Sequence, residues 1–262
     1  MQPLVRVVSL SSEKERRATI KRQLNEKGFE FSFFDAVDLR RSTEESVRTF
    51  FRKDEISTLT REMTRGEVGC ALSHMKLYLE ISNCNSPVAL VLEDDADISR
   101  VNKENLSYIT SMIENDQADI VILGYSKLSI KDEPFFYQCE PIRIVNSYLS
   151  YTIGKPWANW TCGTVGYLIS RKAACRIVSD FKSADSALQV SSVADDWSFF
   201  EKKYGLNIFH VRPLQVFEDF NGFDSSIEPD RREVSGSRIR YLNFLRLLRG
   251  QFRRVAWWIG FR

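Results

Sequence analysis

The run Val88-Ala-Leu-Val-Leu-Glu-Asp-Asp-Ala96 sets the tightest limit on the fold, because a short apolar strand ends in three consecutive carboxylates. A strand this apolar belongs at the centre of a sheet. Its charged end must then emerge at the rim, where a divalent cation can neutralise Glu93, Asp94 and Asp95. Open α/β sheets bind ligands at the carboxyl ends of their strands, and hard oxygen ligands suit Mg²⁺ or Mn²⁺, which in turn suit a nucleotide diphosphate. The competing reading is a strand followed by an acidic turn or helix start, with Asp95 as an N-cap.

The flanking pattern supports an α/β chain. Leu4 to Leu10 predicts a first strand, Ser12-x-x-Glu15 is a capping-box pattern, Gly28 ends the helix that follows, and Phe29 to Val37 predicts a second strand. Gly66 to Ile81 has apolar residues on two sides and predicts a buried helix leading into the acidic strand. Asp119 to Leu123 is another short buried run, and alternating elements of this kind imply a largely parallel sheet with helices on its faces. Residues 125 to 162 read as a long aromatic loop of the functional kind. Thr161 to Ser170 predicts a strand, Ser170 caps a helix from Arg171 to about Phe181, a short helix starts at Ala194, and Asn207 to Val211 predicts a last strand.

At 262 residues and 43% hydrophobic, the chain can bury one large core. A formal charge of +2 gives no argument for nucleic acid. Five scattered cysteines without a C-x-x-C pair, and two histidines, fit a reducing compartment rather than a zinc site. With neither a signal peptide nor the roughly 18 apolar residues needed to span a bilayer, the expected location is cytoplasmic and peripheral to the inner face of the cytoplasmic membrane.

Several segments together resemble glycosyltransferase family 25, the bacterial lipooligosaccharide galactosyltransferases related to part of the collagen galactosyltransferases. They are Val7 to Leu10 with Arg16 and Arg17, Phe34 to Asp38, Arg65 to His74, Leu90 to Asp95, and Gly163 to Ser170, in the family's order. The resemblance implies a glycosyltransferase A type fold, a nucleotide-sugar donor, usually UDP-galactose, inversion at the anomeric carbon, and a β-1,4 linkage to a lipid-linked oligosaccharide. Its acidic cluster reads Glu-Asp-Asp instead of Asp-x-Asp. Aligned so, Asp95 is the first choice for the metal, Glu93 lies nearer the ribose or the metal's waters, and Asp94 is the middle residue.

A sugar leaving UDP develops negative charge on the diphosphate, so a cation held by Asp95 and Glu93 would stabilise it. Arg16 and Arg17 could assist, or be solvated helix charge. An inverting displacement needs a carboxylate opposite the diphosphate, and Asp196 or Asp195 is the candidate, Asp196 preferred, with Trp197 able to stack on a sugar. The opposing reading makes that Asp an N-cap and Trp197 core. His74, with Glu67 two turns before it, could face the donor pocket or be a satisfied core histidine. His210 is a possible further metal ligand or an ordinary strand histidine. Gly163 and Gly166 would let backbone approach the donor or another strand closely.

Residues 238 to 262 hold seven arginines, no acidic residue and many large apolar side chains. This predicts a basic amphipathic helix on an anionic membrane surface, appended to a catalytic domain spanning residues 1–237. The rival is a tail that packs on its own domain.

Overall fold

The computed structural model describes residues 2–54, 56–57, 59, 61–182, 188–219 and 239–260. In chain order the elements are β1 (Leu4–Ser9), α1 (Lys14–Glu26), β2 (Ser32–Asp35), α2 (Glu44–Thr49), α3 (Arg65–Asn83), β3 (Val88–Glu93), β4 (Ala96–Asp97), α4 (Lys103–Glu114), β5 (Ile120–Ile122) and β6 (Gly124–Tyr125). There follow α5 (Glu133–Cys139), β7 (Ile142–Tyr148), β8 (Tyr151–Pro156), β9 (Gly166–Ser170), α6 (Arg171–Lys182), α7 (Trp197–Tyr204), β10 (Ile208–Arg212), β11 (Val216–Glu218) and α8 (Ile239–Trp258).

Eight strands form one sheet in the order β2-β1-β3-β9-β5-β10-β8-β7. Six point the same way, while β9 and β8 run against them. Alternation along the strands divides the core. Ala89, Val91, Ile120 and Ile122 face the side covered by α3, α6 and α7, while Val88, Leu90, Leu92, Val121 and Leu123 pack with residues of α1 and α4 on the other. This is the α/β architecture, a large central sheet flanked by helices, that the resemblance implies.

Local chemistry sets the helix boundaries around the cleft. Thr64 accepts the Glu67 amide while the Glu67 carboxylate takes the Thr64 amide, a full capping box that starts α3. Ser170 accepts the Ala173 amide at 2.9 Å and starts α6, as predicted. The expected capping box at Ser12 is not formed; α1 starts after Glu13, without a side-chain cap. Asn102, and not Asp95, caps the helix after the acidic strand.

The largest departure lies in residues 125–162. The expected loop contains α5 and the β7–β8 hairpin, whose β8 pairs with β10 and extends the sheet. Ile144 and Val145 are exposed beside a register shift between Ile144 and Asn146, so this edge strand lacks the clean alternation that marks a half-buried one. The carboxyl-terminal helix also differs from a detached tail. Arg249 and Arg253 both pair with Glu140 after α5, Trp257 packs on Trp157 at 5.5 Å, and a Cβ on Gly250 would sit 2.1 Å from the Gln138 carbonyl. Glycine is what lets α8 lie so close to α5.

Candidate active site

A cleft of about 500 Å³ opens at the carboxyl ends of β1 and β3. Glu93, Asp94 and Asp95 lie at its base, with Arg16, Glu67, Gly163, Thr164, Asp195 and Glu218 around them. This is where ligands bind in such sheets, because strand ends stop while the flanking helices and loops rise beyond them.

Asp94 is anchored through both oxygens. Ser9 Oγ donates to Oδ2 at 2.6 Å and Arg16 Nη1 to Oδ1 at 3.0 Å. Arg16 also reaches Asp95 Oδ2 at 3.3 Å, but Asp95 Oδ1 is buried and has no hydrogen-bond partner. Burial and the neighbouring Glu93 charge push the Asp95 carboxyl well above its usual range, and Asp94 is raised by burial as well. Burial also works to raise Glu93, but the nearby His74 imidazole and Thr164 hydroxyl outweigh it and hold the carboxyl lower. A buried, unsatisfied carboxylate oxygen among other carboxylates is costly alone and is relieved by a cation. The residues therefore fit a hard divalent ion, which Asp95 could ligate directly with Glu93 beside it.

A mixed group lies next to it. Potential ligand atoms of Cys70, His74 and Glu93 fall within 4.8 Å of one another. His74 is fully enclosed, its Nδ1 2.7 Å from the Tyr167 hydroxyl and its Nε2 3.8 Å from Glu93 Oε1. It backs Glu93 from below the cleft rather than lining it.

The two candidate bases are separated by the fold. Asp195 lines the cleft and accepts the Gly163 amide at 2.8 Å. Asp196 is buried, accepting the Phe199 amide at 3.0 Å and the Ser192 hydroxyl at 2.6 Å as the N-cap of α7. The preference for Asp196 is therefore reversed. Trp197 is wholly buried and donates from its indole to the Gly163 carbonyl, so it stacks on no sugar.

The remaining candidates divide in the same way. Arg17 lies outside the cleft, tied to the Ser9 carbonyl and Asp35 and stacked on Phe33. Gly163 has φ +88°, and a Cβ there would meet Ser126 Oγ at 1.9 Å, so the cleft wall requires glycine. Gly166 is needed for packing, since a Cβ would press on Val216 at 2.9 Å. His210 is taken out of the ligand set: its Nδ1 meets the Tyr125 hydroxyl and its Nε2 meets Asn159 Oδ1, leaving no nitrogen for a metal.

Sequence reasoning missed Ser9, Thr164 and Glu218. Glu218 reaches the cleft because β11 pairs with β4, setting it opposite Ala96, next to Asp95. Three residues of strand gave no periodic signal for this.

Residues 3–194 match the family model described as glycosyltransferase family 25 (LPS biosynthesis protein). A Haemophilus influenzae protein named "Putative glycosyltransferase" is 29% identical over 260 residues, covering 95% of this chain and 83% of that one. Procollagen galactosyltransferase 1-B of Xenopus laevis is 30% identical over 228 residues, 80% of this chain but 35% of that one. The lacto-N-neotetraose biosynthesis glycosyltransferase LgtE of Neisseria meningitidis is 27% identical over 228 residues, 82% of this chain and 74% of that one. This chain thus spans about a third of the procollagen enzyme and most of the two bacterial proteins. It belongs to glycosyltransferase family 25.

Proposed function

We propose that this chain transfers galactose from UDP-galactose, with inversion, to a hydroxyl of a lipooligosaccharide in a β-1,4 linkage. One observation carries the reading: Asp95, whose buried Oδ1 has no hydrogen-bond partner, lines the same cleft as Asp195. A Mn²⁺ or Mg²⁺ held by Asp95, with Glu93 beside it, would supply positive charge to the departing diphosphate.

The protein's own groups do the rest. Arg16 fixes the Asp94–Asp95 turn and offsets part of its charge. Asp195, oriented by the Gly163 amide, accepts the proton of the acceptor hydroxyl as that oxygen bonds to the anomeric carbon. The bond from that carbon to the diphosphate oxygen breaks, and its electron pair leaves with UDP. A single displacement of this kind inverts the centre.

Incubating the protein with UDP-galactose, UDP-glucose and UDP-N-acetylglucosamine, each with and without EDTA, tests the donor and the ion together. UDP release is expected from UDP-galactose and is lost with EDTA. Preference for another sugar would overturn the galactose assignment, and indifference to EDTA would overturn the role of Asp95.

The exposed side of α8 supports a lipid-linked acceptor. Phe244, Leu248, Phe252 and Val255 recur along one side of α8 and are 51–68% exposed, Trp258 is 87% exposed, and the helix carries no acidic residue. No helix among the described residues is long and apolar enough to cross a membrane. An apolar stripe among arginines suits the surface of an anionic bilayer, where a lipid-linked acceptor resides.

A further inference from the structure

A second groove, about 410 Å³ in volume, adjoins the catalytic cleft and shares Ser126, Lys127, Thr161 and Cys162 with it. Its size is within the roughly 300–1,000 Å³ of small-ligand sites. The rest of its lining comes from the segment around α5, from Trp160 and from α8, which contributes Asn243 and Arg246.

Two features define what could enter it. Tyr125, Phe136 and Trp160 form a mutually packed aromatic wall with ring centroids 5.3–6.0 Å apart, and Trp160 is held from behind by stacking on His210 at 4.9 Å. Phe135 lines the same groove and is 37% exposed. Rigid aromatic faces of this kind suit the apolar faces of pyranose rings at little entropic cost. The second feature is charge. Lys127 and Arg246 both line the groove, against one carboxylate, Asp132, that already accepts the Ser129 hydroxyl at 2.6 Å. Arg246 lies one turn before Gly250, where α8 is clamped on α5, so its backbone is fixed at the rim.

We propose that this groove is the acceptor subsite and that it binds an oligosaccharide bearing an anionic substituent, such as phosphate. Sugar rings lie on the aromatic wall and the anion meets Arg246 and Lys127. The shared Thr161 and Cys162 lead directly to Gly163, whose amide holds Asp195, so an acceptor here presents its hydroxyl toward the base. The inference rests on the glycosyl-transfer reading above and adds the substrate class.

The test uses the full chain and lipooligosaccharide O-deacylated to make it soluble, before and after chemical removal of its phosphates. Binding is read by tryptophan fluorescence, and UDP release from UDP-galactose without acceptor is measured in parallel. Arg246→Gln and Phe135→Ala lie outside the catalytic cleft, and their folding is checked by circular dichroism. For the phosphorylated probe, Arg246→Gln is expected to weaken binding at least tenfold, and dephosphorylation to weaken wild-type binding similarly. Phe135→Ala should weaken both probes, and UDP release should stay at the wild-type rate in both variants. Absence of wild-type binding, or folded variants that bind within twofold of wild type, would overturn the subsite. Absence of UDP release from a wild-type protein that still binds the probe would instead overturn the catalytic reading and leave the groove standing.

Discussion

Asp195 and Asp196 are adjacent in the chain yet serve different surfaces: Asp195 lines the cleft against the Gly163 amide, while Asp196 is buried as the cap of α7. Their substitutions should separate in kind. Asp195→Asn is expected to lower transfer by at least ~100-fold with little change in unfolding free energy. Asp196→Ala loses the cap and strands the Ser192 hydroxyl, so about 1–2 kcal/mol of stability should go first. Chemical denaturation beside initial rates reads both, and a fully active Asp195→Asn would remove it as the base.

Asp95→Asn keeps the size of the side chain but replaces a buried charge by a neutral amide. Burial and Glu93 raise the carboxyl's affinity for a proton, so ionising it costs the ion-free fold stability as pH rises. In EDTA, the variant is therefore expected to melt higher than wild type at pH 7, with the gap closing toward pH 4. Millimolar Mn²⁺ should raise the melting temperature of wild type and leave the variant unmoved. Transfer by the variant should fall by ~100-fold or more. A Mn²⁺ shift of equal size in both proteins would show that the ion binds elsewhere.

His210 gives a second pH dependence, away from the cleft. Burial, aided by the Arg212 charge, pushes its pKa down to about 3. Between about pH 6.5, where an unfolded histidine titrates, and that value, the unfolded chain holds a proton that the native imidazole refuses. Stability must therefore fall as pH drops through this window, by at most about 1.4 kcal/mol per pH unit. His210→Gln removes the titration, and its urea-unfolding free energy should fall less steeply from pH 6.5 to 4. Parallel curves for the two proteins would rule out a buried neutral His210.

Much of the fold is legible in the sequence where the signal is local. The apolar run of β3 ending in carboxylates, the two-sided apolar pattern of α3 and the capping Ser170 each reappear where the residues predict them. The site is legible in part. The sequence identifies an acidic strand end and a pair of aspartates. Which of two neighbours faces the cleft depends on contacts made elsewhere: Ser192 and Phe199 claim Asp196, and Phe33 and Asp35 claim Arg17. Glu218 reaches the site through the pairing of two very short strands, a long-range event with no local trace.

The carboxyl-terminal helix poses membrane attachment and self-packing as a choice, and the fold accommodates both. One side of α8 is used internally, by Gly250, Ala256 and the arginines paired with Glu140, while Phe252 and Trp258 are 68% and 87% exposed. Replacing both exposed residues, Phe252→Glu with Trp258→Glu, removes apolar area and adds negative charge on the outward side without touching the α5 contact. Wild type is expected to float with phosphatidylserine-containing liposomes and to be released in part by raised salt, because the arginine contribution is screened and the apolar one is not. The double variant should remain unbound, retain its melting temperature, and release UDP from UDP-galactose at the wild-type rate in solution. Its transfer to membrane-embedded lipooligosaccharide should fall several-fold, since the helix no longer concentrates the enzyme at the bilayer. Equal flotation of the two proteins would move the attachment away from α8.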